Sequence, residues 1–537
     1  MLGIVTSGFS TLSCKFTAIA VRRCLSLTLI GLLGFAGSAA VGFVAGIPAP
    51  AGTDEFSYLL AADTFAHGRL TNPPHPLWVH FESVHIIQQP TYMSKYPPAQ
   101  GLVMAAGQVL AGQPIVGVWM SFALMCAAIC WMLYAWVPPR WALLGGFLAV
   151  INPQLGIAGY WAQSYWGGAV PAIGGALVLG GVRRLMRRPR VSDAFLTSMG
   201  LAILANSRPY EGLLISLPAG VIVLRWVFSK RGPPLRLSFG RIVLPTLFAL
   251  ALTGAAMGLY NFRVTGNALR LPYQVHEETY GIAPLFIWQS LPPEPTYRHQ
   301  ALRDRHRQVG RGLYDIQRSA TGFLVKNIVF LSWWGLYSLN VFAIPLVATL
   351  PFTVRWALRD RWARFGLITY VILIAGVLLE TFMMIHYLAP IAALNYFFVL
   401  SAMRLWHWRD KRLGQMMSWV IPLLAAVGLV ASWCWTITRD DSFAWQDQRA
   451  RLLEYLKQQD GHHLIIVNYA LTRFTTDEWV YNEADIDGAK VVWARRMDDD
   501  QNCKLLEYFK DRHIWSLELD GSPSIPRLTP YPRNPCR

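Results

Sequence analysis

Apolar and polar positions alternate along this chain in long blocks. Runs of roughly 18 to 22 apolar residues, such as "VGVWMSFALMCAAICWMLYAWV" (116 to 137), recur through the first 440 positions. Each is long enough as a helix to cross a hydrocarbon layer of about 30 Å. The pattern predicts spans near 24–46, 114–136, 141–158, 168–182, 194–206, 210–228, 242–260, 336–354, 365–384, 387–403 and 415–436. The run before the eighth, "TGFLVKNIVFLSWWG" (321 to 335), reads as a partly re-entrant or interfacial lead-in, because 321–354 is too long for one perpendicular helix. Two long polar stretches, 47–100 and 261–320, interrupt the blocks.

From 440 the period changes. Leu452, Tyr455 and Leu456 repeat at helical spacing, as do Leu505, Tyr508 and Phe509, while "HLIIVNY", "KVVWAR" and "IWSLEL" are short strand-like runs. The expected fold is a polytopic α-helical membrane protein of about eleven transmembrane helices, with a small C-terminal extracytoplasmic α/β domain. The boundary falls between a multi-span domain, 1–439, and a soluble domain, 440–537.

Composition agrees with this division. The 537 residues are 54% hydrophobic and 15% charged, with mean hydropathy +0.32, whereas soluble domains carry about 25% charged residues. The net charge of +17 is not a nucleic-acid signal. Residues 1–439 hold 14 acids against 35 bases, and the bases cluster in short loops such as "RRLMRRPR" (183 to 190) and "RWALRDRWAR" (355 to 364). By the positive-inside rule these loops are cytoplasmic. That threading starts with a cytoplasmic N-terminus and puts both long polar loops and the tail outside. The tail, with 17 acids against 13 bases, is a different object. The seven cysteines show no CxxC pair, so neither zinc nor a disulfide framework is indicated; an extracytoplasmic tail would allow Cys503 and Cys536 to pair.

Chemistry concentrates in the first outer loop. Asp54 and Glu55 open it at the mouth of the first span, and Tyr58, Asp63, His67, Arg69, His75, His80, Glu82, His85, Lys95 and Tyr96 follow. Ionisable groups beside a bilayer need a partner or a task. A general base for an acceptor hydroxyl and a ligand for a divalent cation both fit the pair, which makes Asp54 and Glu55 the catalytic candidates, and the sequence leaves the cation open. The plain alternative is a helix start, with Thr53 or Asp54 as cap and Glu55 in the first turn. "HFESVH" (80 to 85) lacks the defined helical spacing of a metal site, so local hydrogen bonding is the stronger reading. "PYQVHEETYG" in the second loop offers His276 and Glu277 to the same pocket. "NSRPYEG" offers Arg208 as a phosphate contact.

The first loop resembles that of the membrane glycosyltransferases of the C superfamily, in the branch of protein O-mannosyltransferases and the lipid A aminoarabinose transferase. A long apolar helix is followed by the Asp54-Glu55 pair, Tyr58, an Ala-rich helix, "HGRL", and then Lys95 with a Pro pair in "SKYPP". The resemblance implies Asp54 as base toward the acceptor hydroxyl, Lys95 facing the donor phosphate, and Tyr58 in the DExxY pattern. Ser57 departs from the Arg of the aminoarabinose enzymes, which leaves Arg69 to rebuild that contact or points to a different donor. The implied partners are a polyprenyl-phosphate sugar donor, an envelope acceptor and the lipid bilayer, in an inner membrane. A transporter or flippase for a lipid-linked saccharide, or a non-catalytic envelope-assembly protein, is the competing expectation; transporters tend to carry inverted repeats and charges at mid-membrane, and neither pattern stands out here.

Overall fold

The computed structural model describes residues 14–438, 444–469, 477–519 and 526–532. These fall into two compact units. One gathers the N-terminal segment to Ile47, Ile115–Ala256 and Leu324–Ile437; the other gathers Pro48–Pro114, Met257–Phe323 and the tail from Thr438.

The first unit is helical. Among the described residues six helices are long and apolar enough to cross a membrane: Arg23–Ala45, Pro114–Trp136, Pro209–Val227, Leu235–Thr265, Ile385–Arg409 and Lys411–Thr438. A bent pair, Ala320–Ser338 with Asn340–Ala348, makes a seventh if counted as one span. The eleven spans expected from apolar runs are therefore not all matched by full-length helices. The run at 141–158 folds as the twelve-residue helix Pro139–Val150, and 194–206 as the fifteen-residue Val191–Ala205.

Burial separates inner helices from outer ones. Pro114–Trp136 is 72% buried over its apolar window, and Trp136 meets Phe397 of Ile385–Arg409 at 4.8 Å between ring centroids. Leu235–Thr265 is 6% buried, so its apolar surface is turned outward all round, as a lipid-facing helix requires. The helix Arg23–Ala45 buries Gly34, Ser38 and Gly42, a stripe of small residues at four-residue spacing that lets a neighbour approach closely. A Cβ at Gly42 would stand 2.4 Å from Trp119 Cζ2.

The lead-in at 321–335, read as partly re-entrant or interfacial, is the continuous helix Ala320–Ser338, and the chain then bends by 95° into Asn340–Ala348, the geometry of a broken span or a re-entrant loop. Asn340 has φ +39°, its Oδ1 accepts from Val341 N–H, and its Nδ2 donates to Asn152 Oδ1 at 3.1 Å. Asn152 Nδ2 in turn donates to the carbonyl of Ser338. This pair of asparagines satisfies backbone groups that the bend frees, which apolar surroundings demand. Trp161 and Trp334 are buried.

The second unit contains the sheet. Strands β1 (Ile86–Ile87) and β2 (Met93–Ser94) form a small antiparallel ribbon within the first loop. The tail contributes β3 (His463–Tyr469), β4 (Val491–Arg495), β5 (His513–Leu519) and β6 (Arg527–Pro530) in the order β4-β3-β5-β6, with β3 parallel to both neighbours and β6 antiparallel to β5. Helices Trp445–Gln458 and Asp499–Tyr508 cover it through Leu456 and Leu505, both fully buried. Tyr455 and Tyr508, placed on those faces by spacing, are exposed by about half. Cys503 is disulfide-bonded; Cys536 lies outside the described residues.

The first loop and the tail share one core. Phe56, Leu60, Phe81, Ile86 and Tyr92 pack with Leu464, Ile466, Tyr481, Val492 and Phe509. Phe56 stacks on Tyr481 at 4.2 Å and an interplanar angle of 2°. The buried Arg449 guanidinium lies 4.8 Å from the Phe56 ring centroid and donates to the carbonyls of Trp479 and Tyr481. This platform seats the helix Thr53–Ala66, which carries the Asp-Glu pair.

Candidate active site

Gly52, in extended conformation, is the N-cap of Thr53–Ala66, one residue earlier than the sequence suggested. Glu55, 1% exposed, turns its carboxylate back onto the N–H groups of Gly52, at 2.9 Å, and Ala51. It closes the helix start by the carboxylate half of a capping box.

Asp54, one position earlier in the same turn, points elsewhere. Its Oδ1 accepts the hydroxyl of Tyr96 and lies 3.2 Å from His85 Nε2. Tyr96 stacks on Tyr58 at 4.7 Å. The start of a helix favours negative charge at this position.

Lys95 follows β2 and is buried. Its ammonium lies 3.2 Å from Glu277 Oε1, 4.9 Å from the Tyr273 ring centroid and 5.4 Å from that of Tyr96. Glu277 belongs to the second-loop helix Pro272–Tyr280 and also meets His276 Nδ1 at 3.1 Å. Burial pushes the Glu277 carboxyl up, but the Lys95 charge and the His276 contact outweigh it and bring it down to about 2. Glu277 is ionised at neutral pH.

The neighbouring imidazoles are lowered too. Burial and then the charge of Lys95 bring His276 down to about 4. Burial brings His306 down to about 4 as well. His85 is held well below its ordinary value by burial, then by Lys95, His276, Arg305 and His306. All three are therefore neutral at pH 7, chiefly because they are buried. The fixed cations near them are Lys95 and Arg305, whose guanidinium reaches Thr53 Oγ1 at 3.4 Å. Such charges suit an anionic group.

Asp54, Tyr58, Lys95, Tyr96, His276 and Glu277 are thus gathered in one neighbourhood. Arg69 is not part of it: it lies just past the C-terminal end of the 14-residue helix that begins beside Asp54, about 20 Å along the axis. Arg208 belongs to the helical unit. It caps Pro209–Val227, sits 3.7 Å from Glu211 and lies 4.3 Å from the Tyr387 ring, in a buried group that includes Glu380 and His386.

The three polar residues of "HFESVH" diverge. His80 Nδ1 meets the carbonyl of Arg495, Glu82 accepts from Tyr280 Oη at 2.7 Å, and His85 meets Asp54. Among the described residues no group of three His, Cys, Asp or Glu is placed to hold a metal ion. Sequence reasoning missed His85 as the neighbour of Asp54, and it missed Arg305 and His306 altogether. Those two sit in "RDRHRQVGR", a run whose density of charge looks like a solvated surface.

No protein-family model and no curated protein sequence matches the chain. Solved structures do. ArnT from Cupriavidus metallidurans bound to undecaprenyl phosphate superposes with a TM-score of 0.51 at 14% identity, covering 95% of this chain and 93% of that one. The same protein in the apo state gives 0.51 at 13% identity, over 96% and 93%. The Archaeoglobus fulgidus oligosaccharyltransferase in the apo form gives 0.47 at 10% identity over 82% of this chain, which spans 62% of that protein's length. ArnT is matched almost end to end, so this chain shares the fold of that membrane protein.

Proposed function

We propose that this protein is an integral-membrane glycosyltransferase that moves a sugar from a polyprenyl-phosphate-linked donor to an envelope acceptor on the extracytoplasmic side. The observation that carries the reading is that the Asp54 carboxylate, 3.2 Å from His85, shares that residue's surroundings with the cations Lys95 and Arg305 in one folded unit. The fold shared with ArnT, whose structure was solved with undecaprenyl phosphate, supports the donor class.

The chemistry needs both signs of charge. The acceptor hydroxyl attacks the anomeric carbon, its oxygen forms the new glycosidic bond, and its proton passes to Asp54. The old bond from carbon to phosphate oxygen breaks, and the electron pair leaves with the polyprenyl phosphate. Lys95, with Arg305 nearby, offsets the growing negative charge on that phosphate. One base opposite the leaving group gives inversion at the anomeric carbon. Glu277, itself met by His276, holds the Lys95 ammonium, Tyr58 backs Tyr96, and Glu55 keeps the helix start in place.

The test uses purified protein, radiolabelled polyprenyl-phosphate sugars and membrane acceptors. Wild type is expected to transfer label. Asp54→Asn loses about 100- to 10,000-fold in rate, the usual worth of a positioned base. Lys95→Ala loses about 100-fold or more, comparable to removal of one charge-stabilising donor. Wild-type turnover by Asp54→Asn removes the base assignment. No transfer from any donor, together with saturable movement of lipid-linked saccharide into proteoliposomes, makes the protein a transporter instead.

A further inference from the structure

His85 is oddly placed for a loop histidine. It has φ +66°, the left-handed region that residues other than glycine seldom occupy. Such a conformation persists only where neighbours enforce it. Here the neighbours are identifiable. Its carbonyl oxygen accepts the Ser57 hydroxyl at 2.7 Å and the Lys95 backbone N–H at 3.2 Å. Ser57, fully buried, also shares a hydrogen bond of 2.7 Å with the Ser94 hydroxyl, and Ser94 Oγ accepts the N–H of Tyr96 at 3.1 Å. One small polar network therefore joins the Asp54 helix, His85 and the "SKYPP" segment.

That network aims the ring. His85 Nε2 lies 3.2 Å from Asp54 Oδ1, on the same oxygen that takes the Tyr96 hydroxyl. The neutral imidazole has one N–H, and a carboxylate neighbour selects the tautomer that carries it on Nε2. Other charged or titratable groups around the ring are Lys95, His276, Arg305 and His306, with Tyr96 at 5.7 Å between centroids. Burial first, and then the cations among them, keep His85 uncharged, so it orients the carboxylate without neutralising it.

We infer that His85 is a positioning residue for Asp54, and that Ser57 is the anchor that fixes His85 in its left-handed conformation. Ser57 then has a task of its own in this chain: where the resembling enzymes carry an arginine, the serine builds the second support of the base. This rests on the reading of Asp54 as general base.

The experiment compares wild type, Asp54→Asn, His85→Leu, His85→Gln, Ser57→Ala and the double variant Asp54→Asn/His85→Leu in the transfer assay, with melting temperatures for each. His85→Leu is expected to lower kcat about 100-fold, the scale of a mis-set reacting group, with KM for the donor nearly unchanged. His85→Gln, whose amide N–H reaches the Nε2 position, recovers most of that loss. The double variant is no slower than Asp54→Asn by itself, since the two residues act as a unit. Ser57→Ala, which keeps the imidazole, lowers kcat with KM unchanged, and this tests the inference even if leucine at the left-handed position unfolds the loop. Turnover by Asp54→Asn at the wild-type rate overturns the base reading and this inference together. An inactive Asp54→Asn beside folded His85→Leu and Ser57→Ala variants with wild-type kcat overturns this inference alone.

Discussion

Adjacent residues of like charge carry different burdens here. Glu55 and Asp54 differ by one position, about 100° around a helix, and that rotation turns one carboxylate onto the backbone and the other toward Tyr96 and His85. Glu55→Ala should lower stability by about 1 kcal/mol, the value of a helix cap, and leave kcat of the surviving folded fraction near wild type. A thermal melt alongside the transfer assay reads both. The buried histidines predict a pH dependence. His276, at about 4, and His299, which burial and the Arg495 charge bring down to about 3, bind protons less readily folded than unfolded. Between pH 6.5 and about 4 the unfolded chain holds more protons, so stability falls as pH drops through that window and is fully present above it. Glu277, brought down from its ordinary value near 4.5 to about 2, adds its own loss as pH falls through that interval. A melting temperature flat from pH 6.5 to 4.5 would contradict the neutral, buried state of these imidazoles.

The helix Thr53–Ala66 shows how an element is held by partners remote in sequence. Phe56 is buried against Tyr481 and beneath Arg449, residues about 400 positions away. Tyr92 Oη donates to the carbonyl of Asn482, and Asp63 accepts the N–H of Ala484. Phe56→Ala removes a buried ring and should cost about 3–5 kcal/mol. Tyr481→Ala should disturb the same platform, and a double-mutant cycle should return a coupling of about 0.5–1.5 kcal/mol for the stacked pair. Protease accessibility of residues 50–70 is the direct readout. Unchanged protection in Phe56→Ala would mean that the tail does not hold this helix.

At the scale of the whole molecule, the distribution of bases predicts orientation. Lys230 lies in a basic loop of the helical unit, and Leu269, 91% exposed, belongs to the second polar loop. In a variant whose native exposed cysteines Cys14, Cys24 and Cys434 are replaced, a membrane-impermeant thiol reagent should label Leu269→Cys in intact cells. It should label Lys230→Cys only after permeabilisation. The reverse pattern would invert the threading and put the proposed chemistry in the cytoplasm. The disulfide at Cys503 is in keeping with an oxidising outer compartment.

Much of this was legible in residue order, because hydropathy and charge are local properties. Apolar runs gave the helices, basic loops their expected side, and the period change at 440 the strands of the tail. The density of acids and histidines in 47–100 drew attention to the loop of the proposed site, and "DEFSY" with "SKYPP" offered Asp54 and Lys95 as its candidates. Other features depend on which surfaces meet, and no local pattern encodes that. The capping role of Glu55 follows from backbone direction at Gly52. The length of a helix after an apolar run depends on where it bends, as at Asn340, whose freed backbone groups needed Asn152 from far away. The joining of loop one to the tail required Phe56 and Tyr481 to find the same core. So did the pairing of Lys95 with Glu277 and the arrival of Arg305 beside Thr53. The sequence by itself determined which segments are apolar and where ionisable groups are dense. Only the tertiary structure decided which of those groups stand within reach of Asp54, because Coulomb and hydrogen-bond energies depend on distance in space and not on separation along the chain.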